Sequence, residues 1–152
     1  YIVGFRSSSF LAGYLNFYFR LIYDNVTQVQ GGAAGTFDQL FRVGPGDVVI
    51  AICFPRYSEL ALKTVQYAKD RGATIIGVTD SEMSPVYQMS SGSLLVRNEM
   101  ISFVDSLAAP MSMLNALILA AAHKQGTDIS ATFNELEHVW DRFGIFGKVE
   151  DE

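Results

Sequence analysis

The stretch Ala51-Ile52-Cys53-Phe54-Pro55-Arg56-Tyr57-Ser58-Glu59 decides the fold. It closes a continuous apolar run, Val48-Val49-Ile50-Ala51-Ile52, the pattern of a strand buried on both faces of a parallel sheet. A short polar turn follows, and an amphipathic helix begins at Ser58. A buried strand thus hands a loop to a helix N-terminus, the place where open α/β sheets bind ligands. Unpaired amides at such a terminus attract anions. Gly4-Phe5-Arg6-Ser7-Ser8-Ser9 repeats the arrangement, again with an arginine and hydroxyls. Two such loops on neighbouring parallel strands point to one anion-binding pocket.

Outward from this unit, strand and helix signals alternate. Tyr1–Phe5 is expected as a short strand. Ser8 or Ser9 is expected to cap a helix to about Tyr23, with Leu11, Leu15, Tyr18 and Ile22 at helical spacing. Asn25–Val29 fits a second short strand, Gly31-Gly32-Ala33-Ala34-Gly35 a flexible loop, and Phe37–Phe41 a short helix. Val43-Gly44-Pro45-Gly46 is a strong turn signal. Asp47–Cys53 is the central strand. Ser58–Arg71 is a helix with Leu62, Val65 and Ala68 inward, and Gly72 stands at its C-terminal stop. Thr74–Thr79 is the next buried strand, Ser84-Pro85 opens a short helix, and Leu94–Val96 completes the strands. Ser106–Lys124 reads as a long buried helix and Ala131–Phe143 as an amphipathic one. The acidic tail Glu150-Asp151-Glu152 is expected to fray. The alternation predicts a three-layer α/β/α sandwich around a parallel sheet, with right-handed crossovers.

Composition narrows the function. A chain of 152 residues that is 49% apolar can bury one real core. No apolar run reaches the ~18 residues of a membrane span. The net charge of −5 argues against a nucleic-acid surface on this segment. The single cysteine, Cys53, excludes an intrachain disulfide and fits a reducing, cytoplasmic setting. His123 and His138 form no metal-ligand spacing with it, and no cofactor motif is present. Tyr1-Ile2-Val3-Gly4 reads as a strand with nothing before it, so the expectation is one domain, residues 1–152, cut from a longer protein.

Each candidate residue has a plain structural alternative. Arg6, Ser7, Ser8 and Ser9, with Arg56, Tyr57 and Ser58, form an anion cradle or, alternatively, two capped helix starts whose arginines pair with acids such as Asp80 or Glu99. Thr79-Asp80-Ser81 with Ser84 is a pocket wall or a capped turn. Cys53 reads as a packing residue rather than a nucleophile. Glu59, Glu99 and His138 are the candidate proton-transfer groups, and none stands in a motif that fixes such a role. Phe10, Tyr14, Phe17, Tyr18 and Phe19 make one helix apolar nearly all round, which suggests a subunit interface.

The segments Asp47–Ser58, Ala68–Ser81 and Ser84-Pro85, together with Gly4-Phe5-Arg6-Ser7-Ser8 and Ala12, resemble the sugar isomerase (SIS) domain, most nearly the version in RpiR-type bacterial transcription regulators. The resemblance spans about Tyr1 to Lys124. It implies a five-stranded parallel sheet, a homodimer or higher homo-oligomer, and binding of phosphorylated sugars or amino sugars. It also implies a helix-turn-helix domain upstream, through which alone DNA would be contacted. By the same resemblance Ser8 matches the first-loop serine, and Ser58 the hydroxyl at the second helix start. Cys53 and Pro55 stand where the family usually has serines, and Arg6 and Arg56 stand where it has glycines. The ligand set so implied is Arg6, Ser7, Ser8, Cys53, Arg56, Ser58 and Glu99. An effector-sensing domain is the leading expectation. An aldose–ketose phosphosugar isomerase and a degenerate domain that only dimerises are the alternatives.

Overall fold

The computed structural model describes residues 1–101, 103–126 and 129–146. Five parallel strands form the sheet: β1 (Ile2–Val3), β2 (Gln28–Val29), β3 (Val48–Ile52), β4 (Thr74–Thr79) and β5 (Gly92–Leu95). Their order is β2-β1-β3-β4-β5. The helices are α1 (Ser8–Phe19), α2 (Ala33–Leu40), α3 (Glu59–Asp70), α4 (Pro85–Met89), α5 (Ala108–Gln125) and α6 (Ile129–Phe143). A small antiparallel pair, β6 (Met100–Ile101) and β7 (Val104–Asp105), lies between β5 and α5 in the chain.

The three-layer arrangement follows from the strand period. On β3, Val49 and Ala51, with Cys53 just beyond, join one core with Val65 and Ala68 of α3, Leu40 of α2 and Val86 of α4. Ile52 and then Phe54 face the opposite core, with Leu11 and Leu15 of α1 and Leu114 and Ile118 of α5. Successive side chains on a strand point to opposite faces, so a run apolar at every position is what two covered faces require. The sheet, its parallel sense and its flanking helices are those expected.

The end of α3 shows the local chemistry plainly. Gly72 adopts φ +88°, the amide of Gly72 donates to the Lys69 carbonyl at 2.9 Å, and that of Ala73 donates to the Ala68 carbonyl at 3.0 Å. That is a Schellman stop, and the left-handed residue in it is a glycine because a Cβ is disfavoured there. At its other end, Ser58 is the N-cap, with its Oγ accepting from the Ala61 amide at 3.4 Å.

Several expectations are corrected. Helix α1 stops at Phe19 rather than Tyr23, and neither Ser8 nor Ser9 caps it. Ser7 holds the cap position without a capping bond, and Ser9 Oγ donates to the Arg6 carbonyl at 2.6 Å. The expected loop Gly31–Gly35 is mostly helix: α2 begins at Ala33, because Gly32 serves as N-cap and the two alanines are strong helix formers. Strands β1 and β2 are shorter than read, and β5 is shifted to Gly92–Leu95. Helix α5 is not buried all round. Pro110, Leu114, Ile118 and Ala122 form one buried stripe, four residues apart, while Leu119 is exposed. The β6–β7 pair has no counterpart among the expected elements. The acidic tail Glu150–Glu152 lies outside the described residues.

Candidate ligand-binding site at the switch point

Strand β1 connects through α1 to β2 on one side, while the chain from β2 returns through α2 to β3 on the other. The chain direction therefore reverses between β1 and β3, and a doubly wound sheet binds ligands at the carboxyl end of such a pair. The register pairs Val3 with Ala51, so the loops after β1 and β3 leave the sheet side by side. A cleft of about 40 Å³ opens there, lined by residues 5–8, 52–56, 58, 61 and 105. Arg6, Ser7, Ser8, Cys53, Arg56 and Ser58 are thus brought together as expected from the sequence.

Close approach builds the first loop. Gly4 is buried, and a Cβ placed on it would lie 2.5 Å from the Ser8 carbonyl oxygen. Only glycine lets the first turn of α1 sit directly on the end of β1. The amides of Ser7 and Ser8 make no backbone hydrogen bond among the described residues, which leaves them directed at the cleft as anion donors. Ser8 is buried, and Ser7 Oγ donates to Asp105 Oδ2 at 2.7 Å.

Both loops carry one arginine in the left-handed conformation. Arg6 and Arg56 each have φ +56°, and they are the only non-glycine residues with positive φ among those described. A residue with a Cβ pays about 1–2 kcal/mol for that conformation. Two equivalent loops therefore hold the same strained residue type at the same place, and strain of this kind concentrates at functional sites. Both arginines are exposed and neither forms an ion pair among the described residues. The alternative reading, that they are tied to Asp80 or Glu99, is corrected. Asp80 Oδ1 instead accepts from the Tyr57 hydroxyl at 2.9 Å and from Thr79 Oγ1 at 3.2 Å. Thr79 Oγ1 and Ser84 Oγ, 2.8 Å apart, complete a buried hydroxyl pair behind it. This network fixes the second loop from the end of β4, as a wall rather than as a contact surface.

The remaining candidates separate. Cys53 is 3% exposed, and burial pushes its thiol up from the ordinary range, with the Asp80 charge adding to the rise against a lowering contribution from a Ser58 backbone hydrogen bond. A thiol so placed is protonated at neutral pH and packs rather than attacks. Burial likewise raises the Tyr57 phenol, reinforced by Asp80. Glu99 is exposed and does not line the cleft. Glu59 is exposed and bridges to Lys63 on its own helix at 3.3 Å, and His138 is exposed on α6. None of the three stands among the cleft residues. Asp105, which the sequence reading missed, does. Among the described residues no group of three His, Cys, Asp or Glu is placed to hold a metal ion, and no helix is long and apolar enough to cross a membrane.

A parallel sheet with this strand order, and an anion cradle at its switch point, defines the class of doubly wound domains that take small ligands where the strand order reverses. A family profile for the SIS domain matches residues 1–120, and the chain belongs to that family. No curated protein sequence matches it. Among solved structures, the sugar isomerase domain of an RpiR transcription factor from Sphaerobacter thermophilus superposes with a TM-score of 0.83 at 20% identity, covering 90% of this chain and 76% of that one. NanR of Vibrio vulnificus, complexed with ManNAc-6P, gives 0.79 at 15% identity, covering 97% of this chain. This chain spans only 56% of the length of NanR. The protein c3406 of Escherichia coli CFT073, in complex with arabinose 5-phosphate, gives 0.73 at 23% identity, covering 90% and 74%. At these identities the likeness is one of fold.

Proposed function

We propose that this chain is the effector-binding domain of an RpiR-type transcription regulator, and that its effector is a phosphorylated sugar or amino sugar. The observation that carries the reading is the pair of left-handed arginines heading the two switch-point loops. Their guanidinium groups, the Ser7 and Ser8 amides and the Ser58 hydroxyl supply charge-assisted donors for a phosphate. The small cleft has room for an anionic head group only. The sugar lies in the adjoining trough of about 400 Å³ over β1 and β2, which shares Phe5 and Arg6 with the cleft and adds Gln28 and Gln30. That volume falls within the range of small-molecule sites, ~300–1,000 Å³.

The domain works as a homodimer, with the face of α1 that bears Phe10 and Phe17, 72% and 57% exposed, among its contact surfaces. DNA is contacted by a separate domain, in keeping with a net charge of −5 on this one. Effector binding acts by differential affinity for two dimer geometries. Isomerisation is the weaker reading, because the candidate bases Glu59, Glu99 and His138 all stand away from the cleft. A scaffold that only dimerises is favoured by one observation, the small volume of the cleft.

The test is a thermal-unfolding screen against phosphorylated sugars and amino sugars, including N-acetylmannosamine 6-phosphate and arabinose 5-phosphate, with Arg6→Ala and Arg56→Ala alongside. Ligand at 100 times its dissociation constant adds ~2.7 kcal/mol, which moves the midpoint of a domain of this size by roughly 5–10 °C. A shift that both variants lose supports the site. No shift with any compound leaves the dimerising scaffold as the better reading.

A further inference from the structure

Asp105 is the one carboxylate on the cleft wall. It comes from β7, 98 residues from Ser7, and its Oδ2 accepts the Ser7 hydroxyl at 2.7 Å. It thus holds a donor that the phosphate would otherwise use, and it brings a negative charge to a space whose other charged groups are Arg6 and Arg56. A phosphate dianion balances the two arginines by itself. With the ligand in place the carboxylate is a surplus like charge, and like charges forced together cost several kcal/mol. Nor is there room for both: 40 Å³ holds a few water molecules or one small oxyanion group.

Resting on the phosphate-site reading above, we propose that the Asp105 carboxylate is an internal occupant of the anion site, which the effector's phosphate must displace from Ser7. The domain without ligand is then held in one state by its own carboxylate. Binding breaks the Ser7–Asp105 bond and frees β7. Helix α5 begins at Ala108, three residues beyond Asp105, and packs through Leu114 and Ile118 against the same core as Leu11 and Leu15 of α1. Displacement of Asp105 is therefore delivered directly to the start of the helix that shares a core with α1. An effector that lacks an anionic group does not compete for Ser7 and leaves this contact intact.

The experiment uses inorganic phosphate as the probe. Its dissociation constant is taken from the phosphate dependence of the melting temperature at fixed ionic strength, with chloride replacing phosphate, for the wild type, Asp105→Asn, Asp105→Ala, Arg6→Ala and Arg56→Ala. Asn keeps an acceptor for Ser7 and removes the charge, so Asp105→Asn is expected to bind phosphate tighter by about tenfold or more, and Asp105→Ala at least as tightly. The arginine variants are expected to bind more weakly than wild type. Equal or weaker phosphate binding by Asp105→Asn, with binding still lost in the arginine variants, overturns the role of Asp105 and leaves the site standing. No phosphate response in any of the five proteins overturns both. The phosphate-free melting curves show that each variant is folded before its affinity is read.

Discussion

Replacing either left-handed arginine with glycine separates the stability of this domain from its binding. At φ +56° a side chain with a Cβ costs about 1–2 kcal/mol. Glycine removes that cost but loses more conformational freedom on folding, which returns about 0.5–1 kcal/mol of the gain. The guanidinium groups make no ion pair among the described residues, and both side chains are exposed, so little folded-state contact is lost with them. The net for Arg6→Gly or Arg56→Gly is a stabilisation of about 0.5–1 kcal/mol, or roughly 1–4 °C in melting temperature for a domain of this length. Alanine keeps the Cβ and therefore the strain, so Arg56→Ala is the matched reference for Arg56→Gly. Calorimetry on the four single variants without ligand reads the backbone contribution, and the same variants with a phosphorylated ligand read the loss of binding. The expected outcome is glycine above alanine in stability at both positions, with ligand response lost in all four. Glycine variants that melt at or below their alanine counterparts refute the argument that these loops store backbone strain.

Three other outcomes follow from local geometry. Gly4→Ala places a Cβ 2.5 Å from the Ser8 carbonyl and forces α1 off β1; an overpacking loss of about 1–3 kcal/mol is expected in urea unfolding, and an unchanged midpoint would show that the first turn yields freely. Ser58→Ala removes the cap of α3, whose bond is long at 3.4 Å, so a loss near ~0.5–1 kcal/mol is expected from the same measurement. The raised Cys53 thiol and Tyr57 phenol both make stability fall on the alkaline side: their contributions are complete below the unfolded values, about 8.5 and 10, and are lost as pH rises through the higher folded ones. Cys53→Ala should flatten the first part of that decline in unfolding free energy measured between about pH 7.5 and 10.5, and an unchanged slope would place the cause elsewhere.

What was legible in the sequence is what short-range patterning encodes. Strand β4 matches its expectation at both ends, because Gly72 stops the helix before it and Asp80 begins a turn after it. Strand β3 and the Ser58 cap were legible for the same reason. The anion loops could be read because serine and arginine at a strand-to-helix junction have few other local uses. Long-range contacts decided the rest. Ser7 forgoes capping for Asp105, 98 residues away. Ala33 and Ala34 looked like part of a glycine loop because two glycines precede them, yet their own propensity is helical. Strands β6 and β7, each two residues long, offer no period to detect. The left-handed conformation of Arg6 and Arg56 carries no sequence signature, since the residue type argues against it. Glu99 follows a strand, as an active-site loop residue would, but its loop leads it into solvent.

Strand β1 is the centre of the site and also one of the shortest elements of the sheet. Its two residues pair with Gln28 and Val29 on one side and with Ile50 and Ala51 on the other. Neither partner is a neighbour in the chain, so β1 has no local hairpin to form in and waits for both strands to be made and aligned. Non-local parallel pairing of this kind is slow to assemble. During synthesis β1 leaves the ribosome before either partner strand, yet it is among the last elements to find its place, and the cleft comes into being only when β3 docks. The same dependence makes the Ile2 and Val3 amides sensors of site assembly: bound ligand, which clamps the β1 and β3 loops together, should slow their hydrogen exchange more than that of β5 at the far edge.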